Sequence, residues 1–412
     1  MQIVKNYDII LRKFLNVVRW LTMSKPINKI DQILLKKRLE CRIGNDVASG
    51  RVGGAAVAVC QDGNLLYENR FGTQSPLSKE PLRKDALFRI ASMTKPITAV
   101  AVLKLIEAGK LSLDDPVSKY LPNYRSLPIV KETNGLLTVE KEASAALTVL
   151  HLLTHTSGIG GGAIGSRQLS NMSVQQKASL SESVAYYARM GIQFEPGSTV
   201  LYSGVPAFDV LTAIVEQISE TDYESFLKQH IFEPCRMTDT TFVPTTEQGE
   251  RLIGMHDYVN EMGCVGKTNP GCVFEDFPIT HPLGGAGLVS SLSDYMNFAN
   301  MLLGGGCFDG NRVLSPASIS TMSTPHVSEE IQPRNQRWGL AVKVVTDPSY
   351  PYLPLGAYGW SGAYGTHFWV DPTNRITAVY MKNSQYDGGG GATTNLHFEE
   401  DVYLSIKNNK IF

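Results

Sequence analysis

Strand-forming segments lie near both ends of this chain, and helical patterns fill the region between them. Close to the N-terminus, two apolar runs flank Asp62-Gly63, a dipeptide that favours a tight hairpin turn. Close to the C-terminus, residues 337–345 and 366–381 are rich in aromatic and β-branched side chains, and the second stretch holds a turn sequence between two strands. We therefore predict one α/β domain whose sheet is completed by the C-terminal part, with a helical insertion between the two groups of strands.

Apolar residues recur at helical spacing in several segments of the chain. The clearest of these predicted helices cover residues 27–42, 87–110, 206–218, 223–231 and 396–406. The second one has Gly109 at its end, where glycine commonly terminates a helix. No internal repeat is visible, so the pattern predicts a single fold and not an array of similar units.

The composition is that of an ordinary globular protein and excludes several classes. Of 412 residues, 43% are hydrophobic and 19% are charged, which rules out collagen, intrinsic disorder and small disulfide-bonded scaffolds. No uncharged apolar run reaches the roughly 18 residues that a transmembrane helix requires. Lysine plus arginine (38) nearly balance aspartate plus glutamate (39), giving a net charge of -1. Because this leaves no basic excess, we expect no nucleic-acid partner.

Residues 1–22 have helical spacing with one apolar face, interrupted by charged residues such as Lys5, Arg12 and Arg19. These charges leave no apolar stretch for a signal peptide, and no small-residue cleavage site follows, so we expect a cytoplasmic protein. We predict an amphipathic extension over residues 1–26. It either docks on a membrane surface or a partner, packs on the domain, or reflects an upstream start codon before Met23; we favour the last two interpretations.

Six cysteines and two histidines at helical spacing are the candidate metal or redox ligands of this sequence. No cysteines form a CxxC pair, so neither a zinc knuckle nor a thioredoxin-type site is indicated. Cys264 and Cys272 could form a disulfide in an oxidising compartment, but we favour free thiols because no secretory signal is visible. His151 and His155 have the i, i+4 spacing of a zinc-binding helix, yet Leu152 stands where a zinc protease needs glutamate. We expect a structural turn there, and neither a metal nor an organic cofactor.

The sharpest local feature is Ser92-Met93-Thr94-Lys95, an S-x-x-K sequence at the start of a helix. Residues three apart on a helix share one face, with Cβ atoms about 5–6 Å apart. A serine hydroxyl is a weak nucleophile until a base removes its proton, and lysine becomes such a base when burial lowers its pKa towards roughly 7–8. The helix N-terminus adds free N–H groups and positive potential beside the serine. A serine that merely caps the helix is the alternative.

Five longer segments follow one another along the chain, and the first of them contains this feature. They are residues 88–122, 147–159, 194–204, 284–303 and 359–372. Together they resemble the serine β-lactamase-related superfamily, which includes class C β-lactamases, D-Ala-D-Ala peptidases, family VIII esterases and lovastatin-type acyltransferases. The last segment, GWSGAYGTHFWVDP, looks most like family VIII esterases. The resemblance implies an α/β fold with a mainly antiparallel sheet flanked by helices and a largely helical second subdomain, as in serine β-lactamases and penicillin-binding proteins.

The resemblance also implies a division of the chain and a role for three residues. The hydrolase domain covers residues 27–412, with a sheet part of about 45–90 and 285–412 and a helical part of about 91–284. Within it, Ser92 matches the nucleophile and Lys95 the paired base. Tyr202 matches a tyrosine whose phenol passes a proton to the leaving group.

The third motif of the superfamily is matched by Trp360-Ser361-Gly362, which is expected to bind the substrate. The resemblance implies that the backbone N–H of Ala363, just after it, forms the oxyanion hole together with that of Ser92. Two such donors aimed at a tetrahedral oxyanion are typically worth a few kcal/mol each.

Two departures from the superfamily pattern affect the expected substrate. Enzymes of this type that bind carboxylated amides usually carry lysine or histidine where this chain has Trp360, and asparagine where it has Gly204. Both changes remove groups that recognise a carboxylated amide, but neither removes a group that an uncharged ester needs to acylate Ser92. The departures therefore favour neutral esters over β-lactams.

We therefore expect a serine hydrolase that cleaves small neutral carboxylic esters through an acyl-Ser92 intermediate. The alternatives are a class C-like β-lactamase, a D-Ala-D-Ala peptidase or D-aminopeptidase, and an acyltransferase that uses the same nucleophile. A non-catalytic binding protein is disfavoured, because it has no need of a nucleophile, a base and a tyrosine together. The expected partner is a small ester or amide, the oligomeric state stays open, and the periplasm is the alternative compartment because relatives often occur there.

Overall fold

Strands from both ends of the chain pair in one central sheet. The computed structural model describes residues 28–76, 78–259, 264–267, 281–384 and 387–407, so the extension predicted over residues 1–26 lies outside the described residues. Along the chain the strands are β1 (Gly54–Gln61), β2 (Asn64–Gly72), β3 (Leu87–Arg89), β4 (Pro128–Thr133), β5 (Leu136–Glu142), β6 (His256–Val259), β7 (Cys264–Lys267), β8 (Val289–Ser291), β9 (Cys307–Phe308), β10 (Asn311–Arg312), β11 (Gln336–Trp338), β12 (Lys343–Val345), β13 (Tyr358–Ser361), β14 (His367–Asp371) and β15 (Ile376–Lys382).

The main sheet has seven strands in the order β11-β12-β13-β14-β15-β1-β2, and every neighbouring pair is antiparallel. The hairpin between β1 and β2 turns at Asp62 and Gly63, whose φ angles of 53° and 75° fit the tight turn that their sequence predicts. The remaining strands form two-stranded pairs, of which β3 with β8 lies next to the nucleophile segment. The predicted α/β fold with a mainly antiparallel sheet is confirmed.

Helices cover both faces of the sheet and fill the region between its two groups of strands. They are α1 (Gln32–Ala48), α2 (Thr94–Glu107), α3 (Val149–Leu153), α4 (Gly162–Ser170), α5 (Val174–Lys177), α6 (Leu180–Met190), α7 (Pro206–Ser219), α8 (Tyr223–Leu227), α9 (Thr246–Arg251), α10 (Leu292–Leu303), α11 (Pro316–Met322) and α12 (Thr393–Tyr403). Most of the helices therefore lie between β3 and β8, as the pattern predicts. The bounds of the two predicted subdomains stay a prediction.

The central strand β1 shows why the sheet needs helices on both faces. All of its residues are buried, and its side chains alternate between two hydrophobic cores. Ala56 and Ala58 face the core that contains α10 and α2, whereas Val57 and Val59 face the core that contains α1 and α12. A near-continuous apolar strand is expected where both faces are covered.

Helix α2 is almost entirely buried between the sheet and the helical region. Its sequence is apolar nearly all round, which is typical of a helix inside a large core. The sequence predicts this helix from residue 87, but residues 87–89 form β3, which pairs with β8, and only residue 94 begins α2. Pairing with a strand about 200 residues later in the chain overrides the local helical pattern.

Within the part of the chain that the structure describes, no helix is long and apolar enough to cross a bilayer. Cys41, Cys60, Cys235 and Cys307 are free thiols. The disulfide considered between Cys264 and Cys272 lies outside the residues whose side chains are described.

Candidate active site

Ser92 lies in a short turn of 3-10 helix immediately before α2. The preceding residue, Ala91, has a φ of 45°, a left-handed conformation that costs about 1–2 kcal/mol for a residue with a Cβ. Helix α2 then places Lys95 beside the serine, with Nζ 3.2 Å from Ser92 Oγ. Ser92 has 9% of its surface exposed and Lys95 has 0%. The structure thus brings together the two residues of the S-x-x-K sequence in a nearly dry environment.

The amine of Lys95 has two further contacts, both with backbone carbonyl groups. Nζ donates to the carbonyl oxygen of Gly204 at 2.5 Å and to that of Gly285 at 2.7 Å. A neutral amine has two N–H groups, and these two carbonyls accept both of them. The lone pair of the nitrogen is then left for Ser92 Oγ, the third polar atom in contact. This arrangement suits an amine that accepts the serine proton.

Burial determines the protonation of Lys95. Removal from water lowers its pKa, while the Tyr202 phenol and the Asp209 carboxyl act in the opposite direction. The surroundings of the amine include aromatic rings, since Nζ lies 5.0 Å from the ring centroid of Tyr202 and 5.1 Å from that of Phe208. Asp209 is fully buried too, and burial raises its pKa to about 8. Protonation of this carboxyl removes its charge and so weakens its stabilisation of a charged Lys95.

Tyr202 is fixed from two sides. The N–H of Leu201 donates to the carbonyl oxygen of His155 at 2.9 Å, and the N–H of Ser203 donates to His155 Nδ1 at 3.1 Å. The rings of His155 and Tyr202 have centroids 4.5 Å apart. On the other side, Trp360 Nε1 donates to the Tyr202 phenol oxygen at 3.3 Å. The phenol is therefore held between the Lys95 region and the third motif.

The two histidines of the HLLTHTSG segment have structural contacts. His155 Nδ1 accepts a hydrogen bond, so the neutral ring carries its proton on Nε2. Burial, together with nearby Lys95 and Lys343, lowers the pKa of His155 well below its ordinary value, and the ring is neutral. His151 Nδ1 accepts from the N–H of Thr148 at the start of α3. The described residues contain no group of three or more side chains that could hold a metal ion.

The turn after β13 is hydrogen-bonded to the segment that carries the nucleophile. The N–H of Gly362 donates to the carbonyl oxygen of Thr366 at 2.8 Å, and Thr366 Oγ1 donates to that of Ile90 at 3.0 Å. A Cβ at Gly362 would lie 2.4 Å from the Ile90 oxygen, so this approach requires glycine. Among the described residues, the backbone N–H groups of Ser92 and Ala363 have no hydrogen-bond acceptor. Both donors are available for an oxyanion.

The Ser361 hydroxyl lies on the opposite face of the sheet from the Trp360 side chain. Side chains alternate along β13, and Trp360 packs on the core that contains α2. Ser361 Oγ lies 2.8 Å from His367 Nδ1, and His367 Nε2 lies 3.0 Å from Glu399 of α12. The hydroxyl therefore belongs to a buried polar network behind the sheet, away from Lys95.

Gly204 leaves space beside Lys95. Its carbonyl oxygen accepts from the amine, but a Cβ built on it meets no atom within 4 Å. The absence of a side chain at this position is therefore not imposed by packing. The site lacks the amide that the superfamily pattern would place there, although a Cβ at this position meets no other atom.

Three residues of the site were not predicted from the sequence. Gly285 lies in the segment 284–303, which the resemblance places at the border of the site, so its contact with Lys95 could have been anticipated. Trp338 and Lys343 lie in the stretch RWGLAVKVV, whose pattern indicates only strands. The centroid of the Trp338 ring lies 4.3 Å from the centroid of the His155 ring and 4.6 Å from that of the Trp360 ring. Lys343 Nζ lies 5.6 Å from the centroids of both tryptophan rings.

The fold and the serine–lysine pair define a serine hydrolase of the β-lactamase type. The chain belongs to the Beta-lactamase family, which it matches over residues 39–399. Protein Rv1367c of Mycobacterium tuberculosis is 33% identical over 81% of this chain and 86% of its own length. Esterase EstB of Burkholderia gladioli is 29% identical over 89% of this chain and 94% of its own length.

Solved structures of other proteins share this fold. Unliganded simvastatin synthase (LovD) from Aspergillus terreus superposes with a TM-score of 0.77, covering 92% of this chain and 100% of that one at 20% identity. The predicted superfamily, the fold class and the assignment as a serine hydrolase are therefore confirmed.

Proposed function

We propose that this protein hydrolyses small carboxylic esters through an acyl intermediate on Ser92. The observation that carries the proposal is the fully buried amine of Lys95, which contacts Ser92 Oγ and has both of its other hydrogen-bonding directions occupied by carbonyl groups. The similarity to esterase EstB over most of both chains supports an ester as the substrate class.

In the acylation step, Ser92 Oγ forms a bond to the ester carbonyl carbon while its proton moves to Lys95 Nζ. The free N–H groups of Ser92 and Ala363 bind the oxyanion that develops on the carbonyl oxygen. The bond between the carbonyl carbon and the leaving oxygen then breaks. Tyr202 gives its phenol proton to the leaving alkoxide and recovers one from the Lys95 ammonium, so the alcohol departs neutral.

In the deacylation step, water attacks the acyl-Ser92 carbonyl carbon and loses its proton to the pair of Lys95 and Tyr202. The bond to Ser92 Oγ breaks and the serine regains a proton, which releases the carboxylic acid. An alcohol that replaces water at this point would receive the acyl group instead, so acyl transfer needs no additional residue. The shared fold with simvastatin synthase supports this second outcome.

β-Lactams and D-amino-acid peptides are disfavoured as substrates by the open space at Gly204. Without a side chain there, no amide contacts the substrate amide on the Lys95 side of the site. A substrate amide that loses its hydrogen bonds to water and finds no partner is bound at a penalty of roughly 1–3 kcal/mol. An ester of the same shape lacks the N–H group and does not incur this penalty.

The test is hydrolysis of p-nitrophenyl butyrate and nitrocefin by the wild type and by Ser92→Ala. We expect the wild type to cleave the ester with a much higher kcat/KM than nitrocefin, and the variant to cleave neither. A fluorophosphonate probe should label the wild type once and leave Ser92→Ala unlabelled. Hydrolysis or labelling that persists in Ser92→Ala would assign the nucleophile to another residue, and faster cleavage of nitrocefin would assign the protein to the β-lactamases.

A further inference from the structure

Lys343 places a cation next to the residues proposed to act on the leaving group. It is the first residue of β12, directly opposite Trp338 of β11 and Gly359 of β13. Its ammonium lies 5.6 Å from the ring centroids of both Trp338 and Trp360. Trp360 in turn donates its indole N–H to the Tyr202 phenol. Lys343 is therefore separated from the proposed proton donor by a single side chain.

This ammonium has no anionic partner in the described part of the chain. It makes no hydrogen bond and no ion pair there, and only the two indole rings accept its charge. Its surroundings are unfavourable for an isolated cation, since burial and the nearby Arg334 both lower the pKa of Lys343. Two titratable neighbours in the aromatic cluster supply no negative charge, because His155 is neutral and Lys95 is an amine whose pKa is lowered by burial. A half-buried positive charge that lacks a counter-ion is a group prepared for an anionic ligand.

We propose that Lys343 binds a carboxylate carried by the leaving group of the substrate, so that the preferred esters are those of hydroxy acids. The inference rests on the proposed function, because the role of Tyr202 as proton donor is what places the leaving alcohol on this side of Ser92. It adds a cation to a site whose third motif, by resemblance, lacks one. Trp360 is neutral, but the neighbouring strand supplies the charge.

A carboxylate fits this position better than a doubly charged phosphate. The site offers a single half-buried ammonium, and the Arg334 side chain nearby is exposed. One compact ammonium matches one negative charge, whereas phosphate sites typically combine a bidentate arginine or several backbone N–H groups. The two tryptophan rings beside the half-buried ammonium make its surroundings less polar than water, which strengthens the attraction between opposite charges.

The test compares two esters that share an acyl chain and differ in the charge of the leaving group. 3-(Butyryloxy)benzoate carries a carboxylate, and its methyl ester does not; the released phenol is followed by its absorbance. The quantity compared is the kcat/KM for the anionic ester divided by the kcat/KM for the neutral ester. We expect this ratio to be about 10- to 100-fold lower in Lys343→Met than in the wild type, mainly because KM for the anionic ester rises. Lys343→Arg should retain most of the ratio, because it keeps the charge.

Lys36→Met is the matched control. Lys36 is an exposed lysine on α1, on the other face of the sheet, and its replacement changes the net charge by the same amount. We expect the wild-type ratio in this variant. A ratio that is equal in Lys343→Met and in the wild type would overturn the proposal, and so would a decrease in Lys36→Met as large as that in Lys343→Met.

A binding measurement separates this proposal from the proposed function. If the wild type cleaves neither ester, esterase activity is refuted, but the role of Lys343 is still decided by titrating Ser92→Ala protein with 3-(butyryloxy)benzoate. Tryptophan fluorescence reports the binding, because Trp338 and Trp360 flank the ammonium. We expect Kd for the anion to rise at least about tenfold when Lys343→Met is added. An unchanged Kd would show that Lys343 does not bind the carboxylate.

Discussion

Replacing Lys95 by methionine removes the proposed base and keeps an unbranched side chain of similar length. Without an acceptor for the Ser92 proton, we expect kcat/KM for p-nitrophenyl butyrate to fall by about 10²- to 10⁴-fold, the usual contribution of a general base. This corresponds to about 3–5 kcal/mol of transition-state stabilisation. Lys95→Arg should lose a similar amount, because arginine keeps the charge but does not release a proton in this pH range.

The same substitution should affect stability in a pH-dependent way. In the folded protein the pKa of Lys95 lies below its ordinary value, so between these two values the unfolded chain binds more protons at this residue. Lys95 therefore makes the free energy of unfolding of the wild type rise with pH, by up to about 1.4 kcal/mol per pH unit within that window. Lys95→Met lacks this contribution.

Two opposing effects set the stability of Lys95→Met itself. Methionine removes the penalty of burying an amine, but it leaves the carbonyl oxygens of Gly204 and Gly285 without a donor, at about 1–3 kcal/mol each. These losses do not depend on pH. The free energy of unfolding of the wild type should therefore increase relative to that of Lys95→Met as the pH rises.

The assay is urea unfolding of both proteins at pH 7 and pH 9, together with the pH profile of kcat/KM. We expect the profile to rise with pH and to level off below the ordinary lysine pKa, because the neutral amine is the active form. Equal pH dependence of unfolding in the two proteins would show that Lys95 is charged in the folded state. That result, or a Lys95→Arg variant with near-wild-type kcat, would refute the reasoning.

Three further predictions concern the surroundings of the nucleophile. In Gly362→Ala the new Cβ would lie 2.4 Å from the Ile90 oxygen, so we expect a large loss of kcat together with a lower Tm in a thermal melt. Gly204→Asn places its Cβ where no other atom lies within 4 Å and restores the amide, so the ratio of kcat/KM for nitrocefin over p-nitrophenyl butyrate should rise; an unchanged ratio would show that the missing amide does not limit β-lactam cleavage. Ser361→Ala removes a hydroxyl that contacts His367 behind the sheet, so unfolding in urea should show a loss of about 1–2 kcal/mol while kcat/KM stays close to that of the wild type; a selective loss of activity would place the hydroxyl in the site.

Local sequence signals predicted the parts of the structure that local interactions determine. The Asp62-Gly63 turn follows from the backbone preferences of two residues, and the approach of Lys95 to Ser92 follows from helix geometry over three positions. The order of longer motifs added Tyr202 and the turn after β13 by resemblance. The Asp62-Gly63 turn and the Ser92–Lys95 pair depend on few distant contacts. Tyr202 and the turn after β13 are held by contacts with distant parts of the chain, so only the resemblance anticipated them.

Long-range pairing determined the features that the sequence did not predict. Residues 87–89 have a helical pattern, but they pair with β8 and become a strand. Lys343 and Trp338 face each other across a hairpin, and their position beside Trp360 depends on the order of strands in the whole sheet. Whether the Ser361 hydroxyl lies on one face of the sheet or the other depends on register, which one sequence leaves open.

The acyl intermediate on Ser92 is tested most directly by identifying the residue that carries the acyl group during turnover. The wild type is mixed with p-nitrophenyl butyrate, quenched in acid within the first turnovers, and analysed by intact mass and peptide mapping. We expect one butyryl group, attached to Ser92, and none in Ser92→Ala. A butyryl group on any other residue, or ester turnover by a wild type that never carries an acyl group, would contradict it.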